Sequence, residues 1–210
     1  MKKLFFVPLF FLSMLVQAQG NFQAALTETL QQFKAAKTTE ETLPLVNKFN
    51  RIAEAEPKQW LPAYYAAFAQ ISVSFRVKEE EQREALLDKA QTYLDRAFKL
   101  EPKESELYAL QGYLHQARLV ISPMMRGMKY SGLVVSALEK AKQLNPNNPR
   151  VYFLLGQNTF NMPKMFGGGP EAAKPLLQTA KEKYAAQKTT QPLQPTWGEQ
   201  NNLALLAKCN

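Results

Sequence analysis

Three prolines recur at near-equal steps along this chain: Pro57, Pro102 and Pro146, separated by 45 and then 44 residues. Each closes a similar phrase, running from Arg51, Arg96 and Lys140 respectively. Other positions keep the same register. Phe49, Leu94 and Leu138 fall eight residues before each proline, and Ala67, Gly112 and Gly156 fall ten after it. A fixed period of this size is the mark of stacked helical units, each too small to bury its own apolar face.

The body of the chain reads as helices punctuated by Pro and Gly, with no hairpin or strand signal. Phe22, Ala25, Leu26, Leu30 and Phe33 recur at helical spacing and predict a first helix. Further helices are expected over 42–55, 61–73, 79–100, 105–120, 133–144, 149–160 and 170–184. The segment 192–210 follows the breakers Pro192 and Pro195 and is expected to cap the stack, with Trp197, Leu203, Leu205 and Leu206 closing its end.

The N-terminus has a basic start (Lys2, Lys3), an apolar run of 13 residues from Leu4 to Val16, and Val16 and Ala18 at the −3 and −1 positions of a cleavage site. The run is short for a membrane span, which needs about 20 residues. It predicts a signal peptide over 1–18, a helical domain over 19–191 and the capping segment over 192–210. With no cysteine near the cut, a lipoprotein is not expected; the mature chain would be periplasmic or secreted, without stable membrane insertion. Loss of Lys2 and Lys3 takes the formal charge from +8 to +6, and the basic residues form no block, which argues against a nucleic-acid partner. Cys209 is the only cysteine and His115 the only histidine, so an internal disulfide and a zinc-type ligand cluster are both excluded.

The pattern Pro149, Tyr152, Leu155-Gly156, followed by Ala173, Leu177 and Ala180, resembles a tetratricopeptide repeat (TPR). Tyr108, Gly112, Val134, Leu138, Ala141 and Pro146 give the copy before it. Ala63, Ala67, Ala90, Leu94, Ala97 and Pro102 give a weaker one, and Leu45, Phe49, Ile52 and Pro57 a partial one. The resemblance covers most of the chain, and it is similar to exported TPR-like proteins of Bacteroidota. It implies an all-α, right-handed superhelical stack of antiparallel hairpins (a TPR-like α-solenoid), with about three full repeats, a partial N-terminal repeat and a C-terminal capping helix. The period exceeds the usual 34 residues, and the surplus is expected in the connections between the first (A) and second (B) helix of each repeat.

The resemblance further implies a concave face lined by A helices. Tyr64, Phe68, Tyr113, Gln116, Arg150, Phe153 and Gln157 fall at its groove-facing positions, either open to a partner or packed under a terminal helix. The residue set of a carboxylate-clamping TPR is absent. The two long connections, 122–131 and 161–170, are expected side by side along one edge. They carry Met124, Met125, Arg126, Met162, Met165, Phe166 and the run Gly167-Gly168-Gly169. Met-rich edges suit deformable apolar contacts, and methionine also serves as core filler between elongated hairpins. The glycine run lacks the Lys-Ser/Thr pair and preceding strand of a phosphate-binding loop, and a tight turn with Pro170 at the first helical position accounts for it.

No nucleophile is paired with a general base by recognisable spacing, so no catalytic residue, cofactor or metal is expected. The first functional expectation is a non-enzymatic exported module that binds a protein or peptide in the cell envelope. The alternative is a periplasmic small-molecule binder with a pocket between the two long connections. Partner identity and oligomeric state are not written in the residues.

Overall fold

A computed structural model describes residues 10–188 and 193–209, with side chains from Phe22 onward. The expected leader lies outside the described residues up to residue 9 and within the opening of the first helix thereafter. Among the described residues the fold is all-helical, with α1 (Phe10–Ala35), α2 (Thr39–Ala55), α3 (Trp60–Ser74), α4 (Glu80–Leu100), α5 (Ser105–Leu119), α6 (Pro123–Leu144), α7 (Pro149–Asn161), α8 (Pro170–Ala186) and α9 (Glu199–Ala207). The tightest packing is within the hairpins α3–α4, α5–α6 and α7–α8, and the A helix of each following hairpin packs on both helices of the one before it.

The prolines act in the way their spacing implies. The helices α2, α4 and α6, which precede these prolines, end with the same cap, in which the N–H of Glu56, Glu101 or Asn145 donates to the carbonyl of Ile52, Ala97 or Ala141. The next four residues close a turn, with Gln59, Glu104 and Asn148 donating to Glu56, Glu101 and Asn145 at 3.1–3.2 Å. The proline is the second residue of each turn, where its fixed φ is pre-set and its missing N–H is not needed. Tyr108 and Tyr152 then donate to the carbonyls of Pro102 and Pro146, tying each A helix back to the turn before it.

Small residues set the distance between paired helices. A Cβ on Gly112 would stand 2.7 Å from Leu138, and one on Gly156 2.6 Å from Leu177. Both leucines are fully buried. The core divides into an N-terminal cluster around Phe49, Tyr64, Leu94 and Leu110 and a C-terminal one around Leu138, Phe153, Leu154 and Leu177. Tyr113 and Trp197 touch both.

Two expectations are corrected. Residues 122–131 are not a connection, because Pro123 opens α6 at its first turn and the helix runs 22 residues to Leu144. Gly127 and Gly132 face open space there and do not break it. The surplus length in that repeat is therefore helix, whereas 161–169 is a genuine connection containing a short 3-10 turn, Lys164–Phe166. Trp197 does not close the end of the stack. Leu205 and Leu206 of α9 pack there with Cys209, and Trp197 lies in the groove.

Candidate functional site

Of the residues expected on the groove face formed by α3, α5 and α7, Tyr64, Phe68, Tyr113, Arg150 and Phe153 meet the C-terminal segment, whereas Gln116 and Gln157 line a separate small cleft. The face is covered by the chain's own C-terminal segment. Trp197 stacks between Phe68 at 5.1 Å and Tyr113 at 5.4 Å, nearly parallel to both. Its indole N–H donates to the Tyr64 hydroxyl at 2.7 Å, and the Arg150 guanidinium sits 5.8 Å from its ring centroid. Gly198, at φ +103, is pressed against Phe153 and Tyr184, where a side chain would not fit. Of the two arrangements the sequence left open, the filled groove is the one observed. The indole is amphipathic, so it buries its ring and keeps one polar contact.

The groove floor carries buried polar side chains, and Glu106 and Arg150 also line a groove of about 580 Å³ with Asn148 and Lys183. Arg150 forms a bidentate pair with Glu106, its Nε and Nη2 each donating at 2.6 Å. Burial by itself lowers the pKa of Arg150, but the charge and hydrogen bonds of Glu106 outweigh it and hold the guanidinium above its ordinary value. Gln116 donates to the carbonyl of Leu154 at 2.8 Å. Arg150 Nη1, Gln116 Oε1 and Gln157 Oε1 remain buried without a hydrogen-bond partner. Burial pushes the Tyr113 hydroxyl up to about 12 and that of Tyr64 well above its usual value, so both phenols stay protonated.

The aromatic stack continues outward. Phe75, at the end of α3, stacks on the far face of Tyr113 at 5.2 Å, giving the order Phe75, Tyr113, Trp197, Phe68. Phe75 is 39% exposed and lines a cleft of about 70 Å³ with Gln116, Leu119, Val120 and Gln157. This cleft marks the A–B edge, and the chain leaves it on both sides through the methionine-bearing segments.

Those methionines are not core filler. Met124, Met125, Met128 and Met165 are almost fully exposed, at 99%, 86%, 96% and 83%, and Phe166 is 69% exposed. Met162 is half-buried. No residue of α6 before Val134 is buried, so its first turns project beyond the packed body. Arg126 anchors them by pairing with Glu80 and Glu84 of α4, while Arg118 reaches Glu84 and Asp88. Glu80, in the acidic first turn of α4, is thus a partner of the α6 start.

The glycine run is a turn. Gly167 and Gly169 have φ of +82 and +105, and a side chain on Gly168 would collide with the carbonyl of Met162. Their three N–H groups donate to the carbonyls of Lys164, Pro163 and Thr159, leaving none turned toward an anion.

The expected pocket between two long connections is not formed, since one connection is helix and the cleft there is small. A roomier groove of about 630 Å³, missed from sequence, lies between α2 and α4. Its apolar lining includes Leu43, Val46 and Leu86, with Arg76, Lys78 and Lys89 among its polar residues. It contains no Met, His, Tyr or Cys. Only the gap between successive B helices could have signalled it, and that gap is set by packing. No cluster of metal-ligating side chains and no helix long and apolar enough to cross a membrane occurs among the described residues.

No family model and no curated protein matches the chain. Among solved structures it is similar to the HusA haemophore from Porphyromonas gingivalis, with a TM-score of 0.78 and 30% identity over 91% of this chain and 92% of that one. It is also similar to a thermophilic TPR protein from Thermus thermophilus, with a TM-score of 0.59, 18% identity, and 90% and 89% coverage. The second likeness shows the helical-repeat fold alone. The first extends over nearly the whole of both chains, and with the TPR-like architecture described above it places this protein in the family of the HusA haemophore.

Proposed function

We propose that this protein is a non-enzymatic, exported carrier of a flat, apolar ligand of the tetrapyrrole class, held at the A–B edge against Phe75 and the thioethers at the start of α6. The observation that carries this reading is the near-complete exposure of Met124, Met125 and Met128 on a helix end that buries nothing of its own. Such a group of apolar side chains gains little in the free monomer and marks a surface covered in use. Methionine is deformable and polarizable, which suits an irregular apolar ligand. Its thioether is also among the donors that hold haem iron. Likeness to a haemophore supports the same ligand class. Phe75 offers a ring face continuous with the groove stack, and Lys129 and Lys164 supply cations for carboxylate arms. The α2–α4 groove is the larger space but offers none of the His, Cys, Met or Tyr side chains that hold haem iron.

Haemin titration followed by absorbance tests this. Wild type is expected to shift the Soret band, and the triple variant Met124→Gln, Met125→Gln, Met128→Gln, or Phe75→Ala, to lose at least about tenfold in affinity, worth roughly 1.4 kcal/mol. Leu43→Ser, in the α2–α4 groove, is expected to bind as wild type does. No spectral change with wild type ends the ligand reading.

A second reading, an envelope protein as partner, draws on the same exposed edge, including Met165 and Phe166. It holds if wild type ignores haemin but captures an envelope protein that the methionine variant loses. In its groove form it requires Trp197 to leave, because Tyr64 and Phe153 are buried beneath the C-terminal segment.

A further inference from the structure

We infer that the segment Leu193–Gly198 is a releasable plug, and that Trp197 acts as an intrachain stand-in for a flat ligand in the slot between Phe68 and Tyr113. The inference rests on the flat-ligand reading above and extends that site inward, from Phe75 across Tyr113 to the slot that Trp197 vacates.

Three observations carry it. The slot is shaped for a planar group, with two near-parallel rings facing Trp197 from either side. The segment is held lightly: among the described residues, no backbone–backbone hydrogen bond joins 193–197 to the repeats. Its ties are side-chain bonds, from Tyr65 to the Leu193 carbonyl at 2.7 Å, from Tyr184 to the Trp197 carbonyl at 3.1 Å, from Trp197 to Tyr64, and from Lys34 to Thr196 at 3.4 Å. Leu193 also sits at φ +65, a left-handed backbone that a leucine adopts only against strain.

The third observation is that the plug leaves the floor unfinished. Arg150, whose guanidinium lies 5.8 Å from the Trp197 ring centroid, keeps its Nη1 buried and without a hydrogen-bond partner. An orphaned buried polar group is costly, so a structural cap would be expected to satisfy the groups it covers. A ligand with a carboxylate for Arg150 Nη1 complements this floor better than an indole does. Because Tyr113 is shared by Phe75 at the edge and Trp197 in the groove, occupancy of one face bears on the other.

Haemin titrations of wild type and Trp197→Ala, paired with amide hydrogen exchange over α9, test the plug. Trp197→Ala is expected to bind haemin about tenfold tighter, the gain when an occluded state of some nine-tenths population is removed. Haemin is expected to speed exchange of α9 amides in wild type. Trp197→Phe, which keeps a stacking ring, should fall between and guards against misreading a folding defect. Equal or weaker binding by both variants, with α9 exchange unchanged by haemin, overturns the plug and leaves the ligand reading intact. If no form binds haemin, the ligand reading fails, and exchange in the free protein decides the plug. Opening of α9 at least about tenfold more readily than α7 supports it, and opening of both together overturns it.

Discussion

Glu106 and Arg150 stand one repeat apart, at equivalent positions in the first turns of α5 and α7, and form a buried bidentate ion pair at 2.6 Å. The repeat that stacks the helices also brings these two charges face to face. Removing one partner leaves the other buried without its counter-charge. Glu106→Gln is expected to destabilise the fold by about 3–5 kcal/mol, and the double replacement Glu106→Leu, Arg150→Met by clearly less. Urea unfolding of the three proteins gives the comparison; equal losses for single and double variants would contradict the pairing argument.

Gly112 and Gly156 fix the approach of α6 and α8. Gly112→Ala places a methyl against fully buried Leu138, and Gly156→Ala one against Leu177. Each is expected to cost about 1–3 kcal/mol by overpacking. Pairing Gly112→Ala with Leu138→Ala should recover none of the buried area but should relieve the clash, so their effects will be less than additive in thermal unfolding.

His115 makes the fold sensitive to mild acid. Burial, with a smaller contribution from Arg118, pushes its pKa down to about 4. Gln111 Nε2 lies 3.1 Å from its Nε2, and its Nδ1 has no partner. The folded state holds the ring neutral while the unfolded chain protonates it near the ordinary value of about 6.5. Its stabilising contribution is therefore full above that value and is lost as pH falls toward about 4. His115→Gln should flatten stability against pH across that window, and a histidine NMR titration with an unshifted midpoint would refute the assignment.

Arg126 positions the exposed start of α6 through Glu80 and Glu84. Because the pairs are partly solvated, Arg126→Met is expected to change global stability by less than about 1 kcal/mol. Its effect should be local, with faster amide exchange over 123–130 and weaker haemin binding if that helix end is the ligand edge. Added salt should reproduce part of the exchange change in wild type.

Much of the scaffold was legible in the chain because each of its determinants is local. Pro57, Pro102 and Pro146 end helices wherever they occur, and Gly112 and Gly156 announce close packing by lacking a side chain. The helices from Trp60 to Leu119 and from Pro149 to Ala186 fall within a few residues of their expected bounds. The start of α6 was not legible: a Met- and Gly-rich stretch looks like a loop, and only Pro123 at the first turn and the anchor to α4 make it a helix.

The groove shows the same division. The TPR resemblance implied one groove-facing set that includes Tyr64, Phe68, Tyr113, Arg150 and Phe153, and within each helix residues three and four apart do share a side. Whether that face would be open depended on Trp197, more than 80 residues beyond Tyr113 and joined to the repeats by contacts no local pattern encodes. The exposure of the methionines was equally invisible, because a thioether packs or projects according to what stands opposite it. Sequence by itself determined the repeating helices and the residues each turn presents, through short-range geometry. Tertiary structure alone decided which of those surfaces the chain covers with its own end and which it leaves bare, because that is settled by contacts between residues far apart in the chain.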